Sequence, residues 1–135
     1  MPITVTAPRG VLTATGEREI LPRLTEALLQ AAGAPDSSLI GGTVHVLPAE
    51  NVYAGGTNRP IVLVELKLPD AGLGTLGARR TFIEAATDIV DGLTVDGHDR
   101  QDTWVNILNA LDGGWGVGGQ TFSKETPTSQ ETLIA

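Results

Sequence analysis

The spacing of apolar residues divides the first half of the chain into a strand, a helix and a second strand. Apolar and polar residues alternate over 2–7, the period of a half-buried strand. Over about 16–32 the apolar residues recur three or four positions apart, and Gly33 provides a stop signal, so this segment is predicted to be an amphipathic helix. Pro22 predicts either that the regular helix begins near it or that the helix kinks there. Residues 43–48 form the second predicted strand.

The second half of the chain repeats this order. Its predicted elements are a strand over 60–69, a Gly-rich loop over 70–77, a helix from about 78 to 92 and a strand over 103–108. "PITV" near the start is echoed by "PIVL", and "TVHVL" by "TWVNIL", which gives pseudo-repeats over about 2–48 and 59–110. Two tandem β-α-β units predict an α/β (α+β) fold: a four-stranded sheet with two helices on one face. Residues 1–122 are expected to form one domain, followed by a C-terminal tail over 123–135.

One face of the predicted sheet is apolar and the other is mixed. The apolar face, which the helices should cover, contains Ile3, Val5, Val44, Val46, Val62, Val64, Leu66, Val105 and Ile107. The mixed face combines polar side chains with Leu47, Ile61, Leu63, Trp104 and Leu108. Because no further helix is available to cover these apolar residues, we expect other copies of the chain to cover them.

Composition excludes several classes of function. The 135 residues carry a formal net charge of -7, which would repel phosphate groups, so nucleic acid is not an expected partner. There is no cysteine, which excludes disulfides, thiol nucleophiles and thiolate metal sites. No apolar run approaches the roughly 18 residues of a membrane span. A protein without membrane contact, in the cytoplasm, is therefore expected.

The start of the chain offers an unusual chemical group. A small residue after the initiator methionine usually allows an aminopeptidase to remove Met1, which would leave Pro2 with a free secondary amine. Ordinary α-amino groups titrate near 7.7 to 8.0, and burial lowers that pKa because the charged form is desolvated. Such an amine can act as a general base near neutral pH.

The chain resembles the tautomerase superfamily over roughly residues 2 to 122. The resemblance lies in Pro2 on a doubled β-α-β chain, in "VHVLPAENVYAGGTNRP" over 44–60, in "TWVNIL" and in the closing "QTF". The stretch over 44–60 is similar in particular to the macrophage migration inhibitory factor group. The resemblance implies the tautomerase fold, a homotrimer, and Pro2 as the catalytic base for keto-enol interconversion of a small 2-oxo acid, without a cofactor.

The resemblance also implies roles for other residues. Asn106 would be a polar group near the pocket. Two residues before it, Trp104 replaces a tyrosine that is usual in the family. Trp115 and Phe122 are candidate apolar walls. The migration inhibitory factor group has a lysine where this chain has Ala34, so the cation for a substrate carboxylate must come from elsewhere. Arg9, just past the first strand, is the best candidate, because other members of the superfamily use an arginine near there. Lys67, on the strand face of Pro2, is the second candidate, and Arg80, at the start of the second helix, is a distant third.

Other chemistry has less support in the sequence. His45 is expected to form hydrogen bonds within the sheet, and neither it nor His98 has acidic neighbours at metal-site spacing, so no metal is predicted. The glycines over 114–119 satisfy GxGxxG but precede no helix, and they predict a flexible or tightly turning loop. A dehalogenase or hydratase acting on small unsaturated acids is an alternative to a tautomerase. A non-catalytic trimeric binding protein is another.

Overall fold

The computed structural model describes residues 1–33, 37–69 and 72–123 of the chain. Its elements are β1 (Pro2–Pro8), α1 (Ala14–Ala32), β2 (Gly41–Leu47), β3 (Val62–Leu68), α2 (Leu76–Leu93), β4 (Thr103–Asn109), β5 (Trp115–Val117) and β6 (Gln120–Phe122). Single 3₁₀ turns cover Ala49–Asn51 and Arg100–Asp102. All four predicted strands and both predicted helices are present.

The sheet has the strand order β2-β1-β3-β4. Within each β-α-β unit the two strands are parallel and the helix provides the crossover between them, whereas β1 meets β3 antiparallel. The two helices pack against each other and against one face of the sheet. The predicted four-stranded sheet with two helices on one face is confirmed.

Both helices begin at a threonine cap. The Thr13 side chain accepts a hydrogen bond from the Gly16 N–H at 2.9 Å, and the Thr75 side chain accepts one from the Ala78 N–H at 3.0 Å. Gly33 ends α1 in a left-handed conformation with φ of 66°. Pro22 lies inside α1, which begins eight residues before it. The prediction that the regular helix begins near Pro22 is therefore wrong.

The main core lies between the helices and the apolar face of the sheet. Residues without solvent exposure include Val5, Val62 and Val64 from the sheet and Phe82 from α2. Helix α1 approaches the end of α2 closely, because a Cβ on Gly16 would lie 2.4 Å from the backbone oxygen of Leu93. The apolar strand face predicted from alternation is thus the face that the helices cover.

A second, smaller core lies on the opposite face of the sheet. It consists of Val52, Ala54 and Ile61, with Leu47 and Leu63 packed against them. The loop between β2 and β3 reaches this face through a tight turn whose Gly55 and Gly56 have φ of 63° and 87°. The expectation that only other copies cover Leu47, Ile61 and Leu63 is therefore incomplete, because the chain's own loop buries part of this surface.

The Gly-rich segment after β4 forms a hairpin. Strands β5 and β6 pair antiparallel, and the two residues between them, Gly118 and Gly119, have φ of 60° and 83°. The predicted tight turn is present at these two glycines. Strands β5 and β6 were not predicted, because a strand of three residues is too short to show an alternation of apolar and polar residues. The predicted tail falls almost wholly on residues 124–135, outside the described residues.

Candidate active site around Pro2

The amino-terminal end of β1 borders a surface cavity of about 380 Å³ that is wide open to solvent. Pro2 is half-buried there and pairs in parallel register with Gly41. The wall is formed by Met1, by residues 38–43 and by Trp115 and Val117 of the hairpin. A Cβ on Gly42 would lie 2.6 Å from the backbone oxygen of Ile3, so glycine allows β2 to approach β1 closely beside Pro2. Trp115 was predicted as a wall of the site, but residues 38–42 were not, although "GG" directly before a predicted strand was a signal of close backbone approach.

Met1 is attached and buried next to Pro2. Its amino group donates a hydrogen bond to the Leu39 carbonyl at 2.6 Å, and its carbonyl accepts one from the Gly41 N–H at 3.1 Å. Burial removes water from the Met1 amine and lowers its pKa from the ordinary 8.0 to about 6. The neutral amine can still donate to Leu39, so this bond does not require the proton. With Met1 present the Pro2 nitrogen is an amide and cannot accept a proton.

In protein that keeps Met1, we expect the folded state to become less stable as the pH falls from 8 to 6. The unfolded chain binds a proton at the amine near pH 8.0, whereas the folded chain binds it only near pH 6. Between these values the unfolded state holds more protons, so stability rises with pH. Denaturant midpoints at the two pH values would measure the effect. Protein acetylated at Met1 is the control, and an identical pH dependence in both proteins would contradict the assignment.

A second cavity of about 250 Å³ shares one lining residue, Trp115, with the first. Lys67 at the end of β3 lines it, together with the end of β4 and with Trp115. Trp115 lines both cavities and its ring lies 6.5 Å from that of buried Phe122, tilted by 52°. The structure thus brings four predicted site residues to one end of the sheet: Pro2, Lys67, Trp115 and Phe122.

Arg9 and Trp104 lie at the other end of the sheet. Arg9 follows the last residue of β1, and seven residues of extended chain put it more than roughly 20 Å from Pro2. Trp104 near the start of β4 pairs with Leu63, which in turn pairs with Thr6. Its indole N–H donates to the Gln101 carbonyl at 3.1 Å and its side chain is exposed. Within one chain these two residues do not meet Pro2.

Asn106 occupies the middle of the edge strand β4. It pairs in register with Glu65 and is exposed. It lines an open groove of about 680 Å³ between β4 and α2, whose α2 side includes Arg79 and Arg80. This groove shares Leu108 with the cavity that Lys67 lines but has no lining residue in common with the cavity beside Pro2, so Arg80 is placed with Asn106 and away from Pro2.

The two histidines bind neighbouring hydroxyl groups. His45 Nε2 lies 2.8 Å from the Thr43 hydroxyl, consistent with its predicted structural role, and His98 Nε2 lies 3.0 Å from the Thr103 hydroxyl. Within the described residues no group of three or more His, Asp or Glu side chains is arranged to hold a metal ion. Ala34 lies outside the described residues.

No protein-family model and no curated protein matches the sequence. Solved structures match over nearly the whole chain. Pt0534 inactivated by 2-oxo-3-pentynoate is 24% identical, with a TM-score of 0.75 over 93% of this chain and 97% of that one. A fused 4-OT wild-type symmetric trimer is 23% identical, with a TM-score of 0.77 over 93% and 97%. N1, a member of the cis-3-chloroacrylic acid dehalogenase family, is 14% identical, with a TM-score of 0.75 over 98% and 96%.

These likenesses show that the chain has the tautomerase fold. They extend over both β-α-β units of the chain. Neither helix of the described ranges combines the length and hydropathy needed to cross a membrane.

Proposed function

We propose that this protein is an enzyme that interconverts the keto and enol forms of a small 2-oxo acid, with Pro2 as general base after Met1 is removed. The observation that carries the proposal is the position of Pro2: it begins β1, lies half-buried and borders a cavity of about 380 Å³. The tautomerase fold supports an enzyme of this superfamily. We further propose membership of the migration inhibitory factor-like group on the stretch over 44–60.

Removal of Met1 would change this site in two ways. It would turn the Pro2 amide into a secondary amine whose lone pair can accept a proton. It would also vacate the volume that Met1 now fills, since Met1 is only 4% exposed. An amine in this position would be partly desolvated, as the Met1 amine is, and desolvation lowers the pKa of an amine toward neutrality. A base that is neutral near pH 7 can take a proton from carbon beside a carbonyl.

A homotrimer is part of the proposal. One structural neighbour is a symmetric trimer. The open face of the sheet leaves Trp104 and Leu108 at 41% and 46% exposure, and contact with other copies would remove this apolar surface from water. Because Arg9 and Trp104 lie far from Pro2 within one chain, they could act at the site only from a neighbouring copy. Asn106, which lines the groove beside β4, would likewise serve as a hydrogen-bond donor at this site only from a neighbouring copy.

One alternative is a dehalogenase or hydratase acting on small unsaturated acids. It is favoured by the likeness to N1, a member of the cis-3-chloroacrylic acid dehalogenase family. Dehalogenation and hydration would use the same pocket for a small carboxylic acid as tautomerisation and would need no cofactor. Because both reactions add water to the substrate, they also require an acid or base that activates the water. A non-catalytic trimeric binding protein is the other alternative.

The proposal is tested with protein whose mass confirms the loss of Met1. We expect it to ketonise phenylenolpyruvate well above the rate in buffer and to release no halide from the 3-chloroacrylates. The electrophile 2-oxo-3-pentynoate should add to the Pro2 amine, abolish the activity and increase the mass of the peptide that begins at Pro2 by one whole reagent. Halide release would favour the dehalogenase. No activity and no adduct would leave only the binding protein.

A further inference from the structure

We infer that Lys67 holds the substrate carboxylate, and that Trp115 separates this carboxylate site from the cavity beside Pro2. The inference rests on the proposed function and deepens it, because it selects the cation and with it the class of substrate. It replaces Arg9, which the sequence alone favours for this role.

The sheet register brings Lys67 beside Pro2. Ile3 pairs with Leu66 in the antiparallel β1–β3 ladder, so the next residue outward on each strand is Pro2 on β1 and Lys67 on β3. Their side chains point to the same face of the sheet, and directly opposed residues of an antiparallel pair have Cβ atoms about 5 Å apart. On its other side Lys67 pairs with Leu108, so its neighbour on β4 is apolar.

Lys67 is also free to bind an anion. Among the described residues it forms no ion pair, whereas Arg59 binds Asp102 at 2.7 Å and Arg100 binds Asp88 at 3.0 Å. The guanidinium of Arg79 donates to the Leu73 carbonyl. Lys67 is exposed on the open face and lines the cavity of about 250 Å³. An ammonium on a flexible stem in such a position can form a charge-assisted hydrogen bond to a carboxylate.

Trp115 determines what the rest of the substrate can be. Its ring packs against Phe122 and lines both cavities, so a molecule that occupied both cavities would contact Trp115. The cavity beyond, around Pro2, is walled by Leu39, Ile40 and Val117. Within the described residues this wall contains no charged side chain. The arrangement therefore selects 2-oxo monocarboxylic acids with an apolar substituent over dicarboxylic acids.

Binding of phenylpyruvate, measured by titration calorimetry beside its methyl ester, tests this assignment without requiring turnover. We expect Lys67→Met to weaken binding of the acid by about tenfold to a hundredfold and to leave the ester nearly unchanged, since a hydrogen bond to a charged group is lost. Lys67→Arg should recover part of the affinity. Arg18→Met, which removes the same charge from the exposed surface of α1, should change neither.

Kinetics with phenylenolpyruvate separate this inference from the proposed function. Lys67→Met should raise KM more than it lowers kcat. Equal effects of Lys67→Met and Arg18→Met on acid binding, equal losses for acid and ester, or no binding of the acid by the wild type would each overturn the assignment of Lys67, even in an active enzyme. Lys67-dependent binding without turnover would uphold the carboxylate site and overturn the proposed reaction.

Discussion

Protein that keeps Met1 is expected to ketonise phenylenolpyruvate about 10²- to 10⁴-fold more slowly than protein that has lost it, because a positioned general base contributes about that much to the rate. An acylated Pro2 nitrogen shares its lone pair with the Met1 carbonyl and cannot take a proton. Met1 also fills the space next to Pro2, where its side chain is buried and its amine binds the Leu39 carbonyl. Both the base and part of the pocket are therefore missing in the unprocessed chain.

Both forms can be made from one gene by expression with and without an aminopeptidase inhibitor, and intact mass distinguishes them. Initial rates at saturating substrate give kcat for each. Pro2→Ala in the processed form is a useful companion, since it keeps an amino group at the same place but loses the ring that fixes the direction of the nitrogen. Equal rates for the two forms of the wild type would exclude Pro2 as the base.

Phe82→Ala is expected to destabilise the folded protein by about 3 to 5 kcal/mol, the usual cost of removing a buried aromatic ring. Phe82 has no solvent exposure and lies on the face of α2 that packs into the main core. Small domains have total stabilities of only about 5 to 15 kcal/mol, so this change would remove a large share of the total. Denaturant unfolding at one fixed protein concentration would measure it.

The neighbouring residue offers a matched control. Ile83 follows Phe82 in α2 but is 37% exposed and lines the groove beside β4. We expect Ile83→Ala to cost about 1 kcal/mol or less. Similar losses for the two variants would mean that the inward face of α2 has been assigned incorrectly.

Much of the fold follows from local patterns in the chain. Alternation places Ile3 and Val5 on one side of β1, and the spacing of Ile20, Leu24 and Leu28 puts them on one side of α1, because these periods are properties of the strand and the helix themselves. The predicted helices were nevertheless short by about two residues at their starts. Thr13 and Thr75 each cap a helix through a side-chain hydrogen bond, a signal that the apolar periodicity does not contain.

The similarity of the two repeats does not by itself place matching residues on the same face of the sheet. "PITV" and "PIVL" are similar, but Ile3 lies in the main core under the helices while Ile61 lies in the second core on the opposite face. A strand shifted by one residue turns each side chain to the other face, so similar letters do not guarantee equivalent positions. Alternation within 60–69 already assigns Ile61 to the mixed face of the sheet, and the folded protein places it there.

The sequence by itself determined the two helices and the four strands of the main sheet, their order in two β-α-β units and the resemblance to the tautomerase superfamily, because these depend on residues near one another in the chain. The tertiary structure alone decided which candidates share a site. Arg9 is close to Pro2 in sequence, but the extended β1 carries it to the far end of the sheet. Lys67 is 65 positions from Pro2, and the antiparallel pairing of β1 with β3 makes the two neighbours.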